Sequence, residues 1–154
     1  MLRKTPLKRG GPLKKHGSTP FKKLERKLDK IFSEFIRLRD AHEFQRTHLG
    51  VEFGFVSCCT CGGVHQWRYV DAGHYIGRHS HNTRWEEQNV HAQCKGCNLD
   101  EGHKPEYEDF LREKYGADVV SQLKIAGKRV KCFTLIELEA LILHYTEEVR
   151  RMNP

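Results

Sequence analysis

Four cysteines carry the first chemical information in this chain. Cys58 and Cys61 form one C-x-x-C pair, Cys94 and Cys97 form another, and 32 residues separate Cys61 from Cys94. A tight C-x-x-C turn aims two thiolates at one ion, and two such turns complete a tetrahedron around Zn²⁺. Four thiolates saturate the metal, so this zinc is expected to be structural. Chemistry must then be sought in the residues that the two knuckles brace. Of the remaining cysteines, Cys59 lies inside the first knuckle but at the poorer spacing, and Cys132 reads as an ordinary half-buried thiol.

The braced insert holds Asp71, His74 and Asn89, and Asn98 follows the second knuckle directly. Hydrolysing a phosphodiester requires an activated water, stabilisation of the charge that builds on the phosphate, and help for the departing oxygen. A neutral imidazole can take the water's proton near pH 7. A divalent cation held by one or two hard oxygen ligands can serve the other two needs. His74 suits the first role, and Asn98 or Asp71 the second, with Mg²⁺ or Mn²⁺ as the ion. Asn89 can hydrogen-bond either the following loop or the His74 main chain, and so orient the ring. Zinc protease and deaminase chemistry is disfavoured, because neither H-E-x-x-H nor a His/Cys/Cys set with an adjacent Glu is present.

The elements that must position these residues follow from pattern. Thr19 is a plausible N-cap with Pro20 at the first helical position. Leu24, Leu28, Ile31, Phe35 and Leu38 then make an apolar stripe at alternating spacings of four and three. Phe53–Val56 reads as a strand entering the first knuckle, Trp67–Asp71 as a second, and 76–88 as a polar loop in which Trp85 packs inward. Val90–Gln93 is a short strand into the second knuckle, where a short helix starts. Helices are expected over Pro105–Tyr115, more weakly over Asp118–Ile125, and after Thr134, where Thr134 and Glu137 make a capping box. The fold class is α+β, mainly helical: a zinc-braced ββα-metal core over about 53–104, flanked by helices in one domain spanning 18–154.

Charge is placed unevenly. The chain of 154 residues has a formal charge of +7, with 38% hydrophobic and 31% charged residues. Residues 1–30 alone carry +9, eleven Lys and Arg against Glu25 and Asp29, leaving the rest at −2 (+7 less +9). Residues 1–17 are rich in Lys, Arg, Gly and Pro and are expected to be a disordered arm. Arg3, Lys4, Lys8, Arg9, Lys14 and Lys15 in the arm, with Lys22, Lys23 and Arg26 on the first helix, suit a polyanion such as DNA. Arg78, His79 and Arg84 in the polar loop are further candidates for phosphate. No run is apolar enough for a signal peptide or a membrane span. With paired thiols in place of a disulfide framework, a reducing cytoplasm near the nucleoid is the expected compartment.

The succession Cys-x-x-Cys, His, Asn, Cys-x-x-Cys-Asn resembles the HNH (His-Me finger) nucleases in their H-N-N form, and implies a treble-clef-like core. The ending Cys94-x-x-Cys97-Asn98 is similar to that of the phage T4-type junction-resolving endonuclease, whose Asn after the second knuckle binds the catalytic metal. The phage NinG (Rap) recombination proteins are a closer likeness. It is carried by Asp71-Ala72-Gly73-His74-Tyr75, Thr83-Arg84-Trp85, Asn89-Val90-His91-Ala92-Gln93-Cys94 and Cys97-Asn98, with Leu28–Glu34 and Glu106–Gly116 outside the core. The resemblance implies a metal-dependent endonuclease acting on branched recombination intermediates such as Holliday junctions and D-loops. Many HNH sites place an acidic or His ligand just before the catalytic His, where this chain has Gly73. Asp71 is expected to replace it through a strand bulge, with His103 as the alternative ligand. A four-way junction offers two equivalent strands, and the helical stripes at 20–40 and 134–151 exceed what one small core needs, so a homodimer is expected. The rival reading is a non-catalytic zinc-stabilised DNA-binding or adaptor module, which would not need His74, Asn89 and Asn98 together.

Overall fold

A first helix, α1 (Pro20–Thr47), is the spine on which everything else is laid. The computed structural model describes residues 19–100 and 104–153. The arm residues Arg3, Lys4, Lys8, Arg9, Lys14 and Lys15, and the alternative ligand His103, lie outside the described residues. Thr19 caps α1 as expected: its hydroxyl oxygen accepts from the Lys22 amide at 3.3 Å, and Pro20 sits where its missing N–H is no loss. The helix runs past the stripe read from sequence because Ala41 and Phe44 extend its buried face.

Two antiparallel hairpins follow. β1 (Phe55–Ser57) pairs with β2 (Val64–Gln66), and Cys58–Gly63 forms the turn between them. Gly62 has φ of 70°, a conformation that costs an L side chain dearly, and its N–H donates to the Cys58 carbonyl at 2.9 Å. The first knuckle is thus the hairpin turn itself. A 3₁₀ turn at Trp67–Tyr69 leads into β3 (Asp71–His74), which pairs with β4 (Val90–Gln93). The expected second strand over Trp67–Asp71 is therefore corrected. Trp67 and Val70, three apart, are both buried, which is the repeat of a 3₁₀ turn and not of a strand.

β4 leads into α2 (Lys95–Leu99), with Cys94 as its N-cap. Then come α3 (Lys104–Tyr115), α4 (Val119–Lys128) and α5 (Leu135–Met152), the last opened by the expected Thr134–Glu137 capping box. The stripe of α1 meets that of α5: Leu28, Phe32, Phe35 and Ile36 pack with Leu138, Ile142 and Tyr145, alongside Trp85. The apolar stripes that suggested a homodimer thus face each other within the chain, while Ile136 and Leu143 on α5 stay exposed. A second cluster sets α3 and α4 against Tyr75 and Cys59, and a third sets Leu38 and Ala41 against Val56, Trp67, Val70 and Ala92.

β4 has a partner strand on one edge only, and α1 covers the other. The Asp40 carboxylate accepts from the Ala92 amide at 2.7 Å, while Arg39 donates to the carbonyls of Val90 and Glu87 at 2.9 and 3.0 Å. An edge satisfied in this way cannot recruit another strand. Burial alone would raise the pKa of Asp40. The guanidinium of Arg39, with bonds from His91 and Ala92, instead holds it well below the carboxylate range. Among the described residues no helix is long and apolar enough to cross a membrane.

Candidate functional site

The four knuckle sulfurs converge: Cys58, Cys61, Cys94 and Cys97 have Sγ atoms all within 4.8 Å of one another. Cys61 and Cys94, from different knuckles, approach to 4.0 Å. Four sulfurs at about 2.3 Å from one ion would stand about 3.8 Å apart, so the cluster fits a tetrahedral Zn²⁺ with little adjustment. The Cys94 amide also donates to Cys58 Sγ at 3.3 Å, a bond suited to a thiolate. Cys59 is turned away into the core beside Tyr107 and Leu111, and burial pushes its thiol pKa up, so it is no ligand. Cys132 is exposed, contrary to the half-buried position expected for it.

Against this brace lies a cleft of about 240 Å³ between the β3–β4 hairpin and α2, with His74, Gln93, Asn98, His79, Lys104 and Tyr107 among its lining. His74 closes β3. Its Nε2 lies 2.9 Å from the Arg84 carbonyl oxygen, and a carbonyl can only accept, so Nε2 carries the proton. The neutral ring then has its lone pair on Nδ1. Burial lowers the pKa of His74 to about 4, helped by the positive charge of Arg78 and resisted by the carbonyls of Arg84 and Ala72. The imidazole is neutral at physiological pH and able to accept a proton.

Asn89 is fully buried and works as a pin behind the histidine. Its side-chain nitrogen donates to the carbonyls of Ile76 and Thr83, both at 2.9 Å, and its side-chain oxygen accepts from the Ile76 amide at 2.8 Å. Of the two roles read for it, the loop tie is the one observed. Thr83 precedes Arg84, so Asn89 sets the segment whose next carbonyl seats His74. From the other side, Arg84 reaches α1: its guanidinium donates to Asp29 at 3.0 and 2.6 Å and to Glu25 at 2.7 Å. Its side chain is only 13% exposed. Arg84 is therefore engaged as an internal tie, which corrects the expectation that it contacts phosphate. Arg78 and His79 remain exposed, as do Lys23 and Arg26 on α1, while Lys22 pairs with Glu25 at 2.9 Å.

The metal candidates are arranged differently from the expectation. The β3–β4 ladder runs in unbroken register from Asp71↔Gln93 to His74↔Val90, so there is no bulge. Alternation alone puts Asp71 and Gly73 on one face, with His74 on the other. Asp71 Oδ2 accepts from Asn98 Nδ2 at 3.1 Å, which turns the Asn98 carbonyl oxygen away from the carboxylate. Asn98 lines the cleft and Asp71 stands behind it. At Gly73 an added Cβ would fall 2.0 Å from Gln93 Oε1. The space that a side chain before His74 would fill thus belongs to the Gln93 amide. Tyr107 fixes the strand here by donating to the Gly73 carbonyl at 2.9 Å. Sequence reading assigned no role to Gln93, Arg39, Asp40 or Tyr107. For Gln93 the signal was its place two residues beyond His91 and immediately before a knuckle cysteine.

Residues 8–154 match the family described as Bacteriophage Lambda NinG protein. The chain belongs to the NinG family. Membership gives this NinG chain a role connected with phage recombination. No curated protein and no solved structure matches it. The match spans α1 through α5, so the NinG assignment covers the braced cleft and the helices that hold it.

Proposed function

We propose that this NinG-family chain is a metal-dependent endonuclease of the HNH (His-Me finger) type, cutting phosphodiester bonds in branched recombination intermediates. The observation that carries the reading is the seating of His74. Its proton is committed to the Arg84 carbonyl, no donor among the described residues bonds its other nitrogen, and it lines the same cleft as the Asn98 amide. The non-catalytic alternative needs the zinc clamp and the basic residues but has no use for a buried imidazole held in one tautomer.

Within this reading, His74 Nδ1 takes the proton of the attacking water. A pKa of about 4 makes the free protein's imidazole a weak base. A bound phosphodiester places negative charge beside it and raises that value toward the working pH. Asn98 offers a hard carbonyl oxygen suited to Mg²⁺ or Mn²⁺, and Asp71 fixes which end of the amide is offered. The divalent ion, when bound, supplies charge stabilisation at the phosphate and the leaving oxygen. Exposed Lys23, Arg26, Arg78 and His79, with the basic N-terminal residues, give phosphate contacts that hold DNA without reading its sequence. Two equivalent strands of a four-way junction favour action by two copies, an argument from the substrate's symmetry alone.

The test is cleavage of labelled four-way junction, D-loop and linear duplex, with and without Mg²⁺ or Mn²⁺. Wild type is expected to cut the branched substrates. His74→Ala should bind junctions and keep zinc while losing about 10²–10⁴-fold in cutting rate. Wild-type protein that binds junctions but cuts none in any divalent metal would establish the non-catalytic module instead.

A further inference from the structure

The cleft presents two amides, and the hydrogen bonds of each show which end is free. Asn98 gives its nitrogen to the Asp71 carboxylate. Gln93 gives its nitrogen to the Thr60 hydroxyl at 2.8 Å, a residue of the first zinc knuckle. In both cases an anchored nitrogen leaves the carbonyl oxygen as the unused group. Among the described residues no donor bonds Gln93 Oε1. Gln93 is only 6% exposed, yet it lines the cleft with His74 and Asn98.

Gly73 makes this placement possible. Its absent side chain leaves room for Oε1, which lies 2.0 Å from where a Cβ would stand, and for the Gln93 stem at 2.9 Å. The φ at Gly73 is not in the left-handed region, so backbone conformation does not call for glycine here. The missing Cβ serves the approach of the Gln93 side chain and nothing else evident in the strand. Asp71, on the same face, is occupied with Asn98 and does not line the cleft.

We propose that Gln93 is a ligand of the catalytic divalent cation, its Oε1 acting with Asn98 Oδ1 as a pair of neutral hard oxygens, and that Asp71 is a positioning residue for Asn98. This rests on the metal-dependent reading above. Two neutral oxygens make a weak pair, so affinity draws on anionic oxygens beside them, the phosphate brought by DNA and the carboxylate of Asp100, which also lines the cleft. Thr60 couples that ligand to the zinc knuckle: the brace that folds the chain also aims Gln93.

The test is Mn²⁺ titrated into the zinc-loaded full-length chain, with free Mn²⁺ followed by electron paramagnetic resonance, alone and with a phosphorothioate-substituted junction. Gln93→Ala is expected to weaken Mn²⁺ binding about tenfold or more. Gln93→Glu should tighten it, because a carboxylate replaces the amide oxygen. Zinc content and melting temperature of each variant show that the fold is intact. Unchanged Mn²⁺ affinity in both folded variants overturns the assignment of Gln93 and leaves the nuclease reading standing. A wild type that binds no Mn²⁺ even with the junction overturns both.

Discussion

Asp71 and Asn98 meet through a single hydrogen bond of 3.1 Å whose polarity is not negotiable, since a carboxylate has no proton to give. An amide otherwise free to flip is held with its carbonyl outward. Asp71→Asn removes that constraint, because either end of the new side chain can face Asn98. The Mg²⁺ concentration for half-maximal junction cleavage should rise about tenfold, as expected when the partner that orients a metal ligand is lost. A Mg²⁺ titration of the variant against wild type checks it, and coincident curves would remove Asp71 from the site.

The zinc cluster should be inseparable from folding. Metal analysis is expected to return about one zinc per chain, and Cys94→Ser should lose it and aggregate or unfold. Stoichiometric zinc retained without Cys58 or Cys97 would break the four-cysteine assignment.

Arg84 is predicted to matter for stability before it matters for DNA. Removing it by Arg84→Ala leaves the carboxylates of Glu25, 4% exposed, and Asp29, 21% exposed, without their guanidinium. Glu25 keeps Lys22 at 2.9 Å and Asp29 keeps the Trp85 indole N–H at 3.0 Å, so the loss costs about 1–3 kcal/mol. Denaturant unfolding measures this, and duplex affinity at matched salt should stay within about twofold. Cleavage should fall as well, since the Arg84 carbonyl that seats His74 belongs to the same tie.

Acid should weaken the fold in a definite window. The folded pKa of His74 lies near 4 against an ordinary 6.5, and burial also lowers that of His91. Below pH 6.5 the unfolded chain therefore binds more protons than the folded one. The contribution of His74 is complete above 6.5 and declines as pH falls toward 4, by on the order of 2–3 kcal/mol. Zinc release at low pH acts in the same direction. Comparing wild type with His74→Gln at pH 7.5 and 5 isolates the histidine, and the variant should show the shallower slope.

Gly73→Ala puts a methyl group into the space held by the Gln93 amide. The ladder on either side is regular and cannot open without losing its pairing, so Gln93 must leave. Overpacking of this kind costs about 1–3 kcal/mol. The combination with Gln93→Gly should recover much of that loss, a coupling that a double-mutant cycle of melting transitions reads directly.

Helix caps and knuckles were legible because each is written in adjacent residues. Thr19-Pro20, Thr134 with Glu137, and the two C-x-x-C pairs were read from sequence and are found where expected. The helical stripes were legible too, but not what covered them, because pairing α1 with α5 is a long-range choice that periodicity does not encode. β2 escaped notice since all three of its residues are exposed, so it has no alternation to read. Trp67–Val70 was misread because a short apolar run fits both a strand and a 3₁₀ turn until burial at a spacing of three is seen. His74, Asn89 and Asn98 were named from residue type and place. Gln93 was not, because its position depends on an empty Cβ across the ladder, and Asn89's true contacts depend on a loop closed from both ends.

The division of α1 between two sets of partners imposes an order on synthesis. Its later half, with Leu38 and Ala41, is covered mainly by Val56, Trp67 and Ala92, which leave the ribosome well before Val149 and Met152 of α5 complete that cluster. Its earlier half, with Leu28, Phe32 and Ile36, meets Ala72, Trp85 and Val90 first but is closed over only by Leu138, Ile142 and Tyr145 of α5. The zinc-braced hairpins can therefore assemble while the first turns of α1 still show a greasy face to the cell. Until α5 docks, the chain carries a largely built cleft and an unfinished coat, and it is in that interval that it is most exposed to misassociation and to chaperone capture.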